Sequence, residues 1–262
     1  MLHRVIRAAA RGIERAYTEQ RRRVGLPPTE LTFDEACYSP ELVCASGVSA
    51  LEYPQAGPPE QLVFVGELTR PSPAAQTMPD WWPATIGSST PIVHVTQGTQ
   101  NVDPHDLIQP TVSALGRQQV QLVVSTGRRG EASLPFRVPP NARVADLVPY
   151  DALLPHTDVM ITNGGWGGVL AALSHGVPLV VAGGDIDKPE IAARVAWAGA
   201  GIDLRTGRPS ARSVLRAWRS VSTDASYRTR AERIGALLRE HDGPREVVEH
   251  TLALLRAKRE AA

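Results

Sequence analysis

Past residue 91 the apolar positions alternate between two spacings. Runs at 92–96, 122–125, 142–147, 159–162, 179–182 and 201–204 are short and apolar or β-branched, which predicts buried strands. Between them, at 105–117, 150–154, 166–175, 189–198 and 210–221, the pattern turns helical, and Gly or Pro stands at nearly every junction. Strands that alternate with crossover helices predict a mostly parallel sheet covered on both faces. Ligands of such sheets settle at the carboxyl ends of the strands. The stretch 227–258 predicts two further helices, interrupted at His241-Asp242-Gly243-Pro244.

Ahead of residue 91 the pattern is sparser. Val5, Ile6, Ala9, Ile13, Ala16 and Tyr17 recur at helical spacing among arginines and predict an amphipathic helix over 2–23. Apolar runs at 42–45 and 62–65 predict two strands, with Pro54, Pro58 and Pro59 in the loop between them. One helix and two strands make a poor domain alone. The stretch 70–91 is rich in Pro, Ser and Thr, follows neither period and reads as a linker. Within it, Trp81 and Trp82 read as an anchor on a neighbouring surface rather than as a binding platform. No internal repeat of fixed period occurs.

Composition removes several alternatives. The 28 basic and 27 acidic side chains leave a formal net charge of +1, so no overall field draws in nucleic acid or an anionic membrane. Any bound anion must be held locally. Cys37 and Cys44 are the only cysteines and have no metal-ligand histidine nearby, so neither a zinc site nor a disulfide framework is expected. No metal-binding cluster of paired carboxylates is evident. Free thiols fit a cytoplasmic location, which is the expectation. The basic N-terminus lacks the apolar centre of a signal peptide. No apolar run reaches the roughly 18 residues that read as a transmembrane segment.

The segment Val159 to Leu173, VMITNGGWGGVLAAL, carries the most chemistry. A buried strand runs into a turn containing Gly164, Gly165, Gly167 and Gly168, with Asn163 available as an N-cap, and then into an apolar helix. Two readings of these glycines stay open. They expose backbone amides at a helix N-terminus and seat a phosphate or diphosphate, or they only permit tight helix-to-strand packing. A second strand end, VHVTQGT, closes on Gly98 and Thr99, and a third, VSTGR, adds Thr126 and Arg128 at the same edge. Two such turns facing each other could clamp one diphosphate without the lysine of a Walker loop. Arg128 reads as a solvated loop arginine before it reads as a phosphate partner. His94, on an apolar strand, reads as a core histidine, and His156 and His175 fall at helix ends.

The ordered set VTQGT, VSTGR, LVPYDALLPHTDVMITNGGWGGVLAALSHGVPLV and DKPEIAARV resembles the GT-B glycosyltransferases that use UDP- or TDP-sugars, above all the bacterial natural-product and macrolide types. The resemblance runs from about residue 91 to 204, and more loosely to the end. It implies an α/β fold with a Rossmann-like parallel sheet, the C-terminal half of a GT-B fold, carrying an incomplete remnant of the N-terminal domain. The implied division is 1–75 for that acceptor-domain remnant, 76–90 for a linker, 91–225 for the nucleotide-sugar-binding domain and 226–262 for C-terminal helices. It further implies that Gly98, Thr99 and the loop Asn163, Gly164, Gly165, Gly167 and Gly168 hold the donor diphosphate, with Thr126 at the same edge. Val148 and Tyr150 would lie along the base, and Asp187 and Lys188 would meet the donor sugar. Three positions depart from the family pattern. Asn163 stands where many relatives have histidine, Gly168 where Ser or Thr is common, and Ala171 where a ribose-binding Glu is common. Lys188 in place of the usual Gln would bring an ammonium that offsets the missing charge.

The resulting expectation is a hexosyltransferase that moves a sugar from a UDP- or TDP-sugar to a small-molecule acceptor hydroxyl, with inversion and without a metal or other cofactor. Nothing matches the family's catalytic histidine, so no catalytic residue is assigned. The acceptor-binding half would come from elsewhere, an upstream coding region or a second chain. The alternative is a noncatalytic nucleotide-sugar-binding remnant or auxiliary subunit; a sugar-nucleotide epimerase on the same fold is a third reading.

Overall fold

The computed structural model describes residues 2–54, 57, 59–69, 78–101 and 103–260. The chain divides into two compact units. The smaller comprises Met1–Cys44, Pro58–Val63 and His250–Ala262. Its first element is α1 (Leu2–Arg23), whose last turn carries Arg21, Arg22 and Arg23, cations that suit the negative end of a helix dipole. The Tyr17 ring meets Phe33 of α2 (Phe33–Ala36) edge-on at 5.8 Å, and the Glu14 carboxylate accepts the Phe33 amide at 3.1 Å. Farther along, β1 (Val43–Ala45) and β2 (Leu62–Phe64) form a two-stranded sheet.

The larger unit, Ala45–Gly57 with Phe64–Glu249, is built on six parallel strands. These are β3 (Ile92–Thr96), β4 (Gln121–Ser125), β5 (Ala142–Ala145), β6 (Val159–Thr162), β7 (Leu179–Val181) and β8 (Gly201–Asp203). Their order is β5-β4-β3-β6-β7-β8. The chain therefore builds outward from β3 in one direction, then crosses back and builds outward in the other. The gap between the carboxyl ends of β3 and β6 is the switch point at which doubly wound sheets hold ligands. Thr96 and Thr162 are register partners there.

Period-2 alternation along the strands separates two apolar faces. Val93, Val95, Leu122, Val124, Val159 and Ile161 pack against α4 (Ile108–Leu115) and α8 (Ala211–Thr223). On the other face, Met160, Leu179 and Val181 pack against α6 (Trp166–Ser174), α7 (Lys188–Trp197) and α9 (Ala225–Arg239). A third cluster joins Ile92, Val123 and Ala145 to Val148 and to Leu153 of α5 (Tyr150–Leu153). The last helix, α10 (Gly243–Glu260), begins at the predicted interruption. Among the described residues no helix is long and apolar enough to cross a membrane.

Each run predicted as a strand forms one: β3 and β6 match their predicted bounds, β4 starts one residue earlier, and the others are trimmed by one or two residues. The helix predicted at 105–117 starts later, at Ile108, because Pro104 and the Asp103–His105 contact belong to a turn, and the Gln97 side chain accepts the Ile108 amide. Part of the predicted linker, 70–77, lies outside the described residues. The rest is not free chain: α3 (Trp82–Ile86) forms there, Trp82 is only 8% exposed in the third apolar cluster, and Gln121 donates to the Thr85 carbonyl. Burial of an indole outweighs the Pro- and Ser-rich surroundings that hide the helix in the sequence.

His94 stands in the middle of β3 with no exposed surface. Its Nδ1 donates to the Val123 carbonyl at 3.0 Å, which leaves Nε2 as an acceptor without a partner. Burial drives its pKa down to about 4, against a weaker opposing effect of the Val123 bond. The imidazole is therefore neutral at pH 7. Because the unfolded chain binds this proton below its ordinary pKa of about 6.5 and the folded chain does not, the contribution to stability is full above that pH and is lost progressively toward pH 4. We predict that urea unfolding at pH 7.5, 6 and 5 shows an acid-side loss of about 2 kcal/mol by pH 5 that the His94→Phe variant lacks.

Candidate functional site

The three central strands end in one repeated device. After β3, the Thr96 hydroxyl accepts the Gly98 amide at 3.2 Å; after β6, the Thr162 hydroxyl accepts the Gly164 amide at 3.3 Å; after β4, the Thr126 hydroxyl accepts the Arg128 amide at 3.3 Å. Each turn places a glycine in the left-handed region, Gly98 at φ 72°, Gly164 at 90° and Gly127 at 74°. The turns also touch. A Cβ on Gly127 would fall 2.1 Å from the Gly98 carbonyl oxygen, so only glycine lets the β3 and β4 turns close on one another.

The glycines after β6 divide by role. At Gly164 a Cβ would strike Val181 at 2.8 Å, and at Gly168 it would meet the Tyr150 hydroxyl at 3.3 Å and the Met160 methyl at 3.6 Å. Those two serve packing. At Gly165 and Gly167 nothing lies within 4 Å. Packing does not require glycine at these positions, yet both lie at the start of α6, where backbone N–H groups have no partner within the helix. Gly165 is the N-cap and has no side chain to cap with; Asn163 does not take that role, because the helix begins two residues beyond its reach. Trp166 fixes the helix start by donating its indole N–H to the Ser46 carbonyl at 3.1 Å.

Asn163 is 5% exposed and its Nδ2 donates to the Gln97 carbonyl, a bond that joins the β6 turn to the β3 turn. Gln97 is itself buried and donates to the carbonyls of Asn101 and Asp103 at 3.2 and 2.7 Å. Thr99 is exposed beyond Gly98. The Thr126 hydroxyl is committed to the Glu131 carbonyl at 2.8 Å, so this residue shapes its loop rather than presenting a hydroxyl to solvent. Arg128 forms an ion pair with Glu131 at 3.1 Å. Asp146, which the sequence did not single out, pins two loops: its carboxylate accepts Gly130 N at 2.8 Å and Leu147 N at 2.7 Å. Those two amides hold its carboxyl below the ordinary range.

Tyr150 and Val148 lie inward. Val148 is 6% exposed within the third apolar cluster. The Tyr150 ring meets His94 edge-on at 5.7 Å, and burial pushes its phenol upward, opposed by a hydrogen bond with Thr96. Val148 is buried and Tyr150 half-buried beneath the turns.

Asn163 and Lys188 line one cavity of about 270 Å³, together with Asp185, Arg208, Asp106 and Thr206. The Lys188 ammonium forms an ion pair with the exposed Asp185 carboxylate at 2.9 Å. Asp187 is exposed at the N-cap of α7, accepts no capping bond and is not among the lining residues. Beside it, Ile186 is 89% exposed at φ 55°, an unfavourable backbone setting for a β-branched residue. Among the described residues, no cluster of three or more His, Cys, Asp or Glu could hold a metal ion.

A family model described as erythromycin biosynthesis protein CIII-like, C-terminal domain, matches residues 110–254, more than half of the chain. The chain belongs to this family. It is 40% identical over 250 residues to 4'-demethylrebeccamycin synthase of Lentzea aerocolonigenes, covering 95% of this chain and 58% of that protein. To UDP-glucosyltransferase B1 of Starmerella bombicola it is 40% identical over 190 residues, covering 70% and 44%. Among solved structures, the spinosyn rhamnosyltransferase SpnG complexed with thymidine diphosphate superposes with a TM-score of 0.68 at 24% identity, covering 82% of this chain and 57% of that one. The fold is thus the C-terminal half of a GT-B glycosyltransferase, as the motif order implied. The chain spans about half the length of the curated relatives it matches.

The contact between the β3 and β4 turns yields a direct check. Gly127→Ala should lower stability by about 2 kcal/mol or more, since both the left-handed backbone and the Gly98 carbonyl oppose a methyl group. Gly165→Ala, at φ −62° in open space, should melt within a few degrees of wild type. Thermal unfolding of the two variants side by side makes the comparison.

Proposed function

We propose that this chain supplies the donor site of a glycosyltransferase that moves a hexosyl group from a UDP- or TDP-sugar to a hydroxyl of a small-molecule acceptor. The observation that carries this reading is the open backbone at Gly165 and Gly167, at the N-terminus of α6 and at the sheet's switch point. A nine-residue helix presents roughly half a positive charge there, spread over amides that no side chain shields. A diphosphate seated on these amides would have the Gly98–Thr99 turn across from it. The base would extend toward 147–150 and the sugar toward β7 and α7. This arrangement is what the order of turns on the sheet edge favours.

In the reaction, the acceptor oxygen forms a bond to the anomeric carbon as the bond from that carbon to the diphosphate oxygen breaks, with inversion. The electron pair leaves on the diphosphate. Amides already aimed at the leaving oxygens stabilise the growing charge without reorganising. The proton of the acceptor hydroxyl goes to a general base that this chain does not supply through His94, which is sealed in the sheet and neutral. The acceptor-binding half and its base would lie in polypeptide outside these residues, continuous with them or in a second chain. The identity of the named relatives supports sugar transfer, and the nucleotide bound to the spinosyn enzyme supports a nucleoside diphosphate at this edge.

The open glycines offer a test that packing does not confound. A change at Gly168 would strike Tyr150, whereas Gly167→Ala adds only a methyl group to the seat and favours the helix. Calorimetric titration with UDP and with TDP should show binding to wild type, and Gly167→Ala should weaken it about tenfold or more while melting no lower. Unchanged affinity would take these glycines out of the diphosphate seat and overturn the proposal.

A further inference from the structure

The cavity that contains Asn163 differs in kind from the amide seat. Two cations stand on its wall, and both are already answered: Lys188 by Asp185 at 2.9 Å and Arg208 by Asp106 at 2.7 Å. A pocket whose cations are paired with carboxylates has little to offer a phosphate. It suits a neutral, hydrogen-bonding group.

Asn163 makes the same distinction by a separate route. Its amide cannot turn over, because the Gln97 carbonyl can only accept and so demands the NH2 end. The other end, Oδ1, has no partner, although the side chain is 95% buried by the complement of its 5% exposure. A buried acceptor without a donor is costly, and a ligand that brings an O–H or N–H removes that cost. A phosphoryl oxygen cannot do so, since at neutral pH it too is an acceptor.

We propose that Asn163 is a specificity residue for the donor sugar: its Oδ1 accepts a hydrogen bond from a sugar hydroxyl or amino group in the cavity beside Lys188, and it takes no part in holding the diphosphate. This rests on the donor-site reading above. It assigns diphosphate to the amides of α6 and the sugar to the neutral cavity. Asn163 then discriminates in favour of sugars that keep a hydrogen-bond donor at the position facing it, and against those deoxygenated there.

The test separates sugar from nucleotide. Affinities of UDP and UDP-glucose, and of TDP and TDP-rhamnose, are measured by calorimetry for wild type and Asn163→Leu, which keeps the volume and removes both the Oδ1 acceptor and the Nδ2 donor to Gln97. For whichever pair binds wild type, the gain that the sugar adds over the free nucleotide should fall about tenfold in the variant; because both are measured on the same variant, the loss of the Asn163–Gln97 bond weighs on each alike and cancels from the gain. Loss of free-nucleotide affinity with an unaltered sugar gain would place Asn163 on the phosphates and overturn the proposal, as would no change in either. If neither nucleotide binds wild type, the donor-site reading itself falls and takes the proposal with it. Should the leucine variant fail to fold, monodeoxy analogues of the sugar that binds wild type give the same answer. One position should carry about a tenfold loss, and equal affinity across all positions overturns the assignment.

Discussion

The Gly98 carbonyl occupies the place where a side chain at residue 127 would begin. That backbone-to-backbone approach sets how closely the turns after β3 and β4 converge, and the Asn163–Gln97 bond sets the same limit between β3 and β6. Three strands thus end in one tight rim, held by Thr hydroxyls and by main chain instead of by long side chains. Everything proposed for ligand binding depends on this rim, because an amide seat works only when the amides are fixed before the ligand arrives.

Electrostatics at the rim is that of dipoles, not of free ions. The nearest cations whose geometry is described, Lys188, Arg208 and Arg128, each lie against a carboxylate. Beneath the rim the pattern holds: His94 is neutral, burial pushes the Tyr150 phenol further up, and the two rings meet edge-on. Charge is brought only by what binds. A helix terminus suits such a site, since its field is local and falls off within the first turn.

Much of this arrangement can be read in the sequence where one physical rule dominates. Strand runs bounded by Gly and Pro located the sheet, and the order VTQGT, VSTGR, MITNGG located the turns, because left-handed positions leave glycine as a mark. The rule fails where roles depend on surroundings. Gly164, Gly165, Gly167 and Gly168 look alike in sequence, yet two are packed against side chains and two face open space. Trp82 lies in Pro- and Ser-rich chain that hides its helix, although its role as an anchor was legible. Asn163 has the right residue type for an N-cap but ends up bonded to another turn, and the partners of Lys188 and Arg208 come into view only when loops from separate strands converge.

Asn163 and Gln97 are 66 positions apart, with three strands and their crossovers between them. The rim therefore belongs to the high-contact-order part of the fold, assembled only when the chain has crossed back over the sheet and β6 has docked beside β3. A partly folded chain has the glycines but no rim. Any ligand that requires both turns would then bind the closed sheet alone, and its binding free energy would be linked to the folding of the whole doubly wound unit.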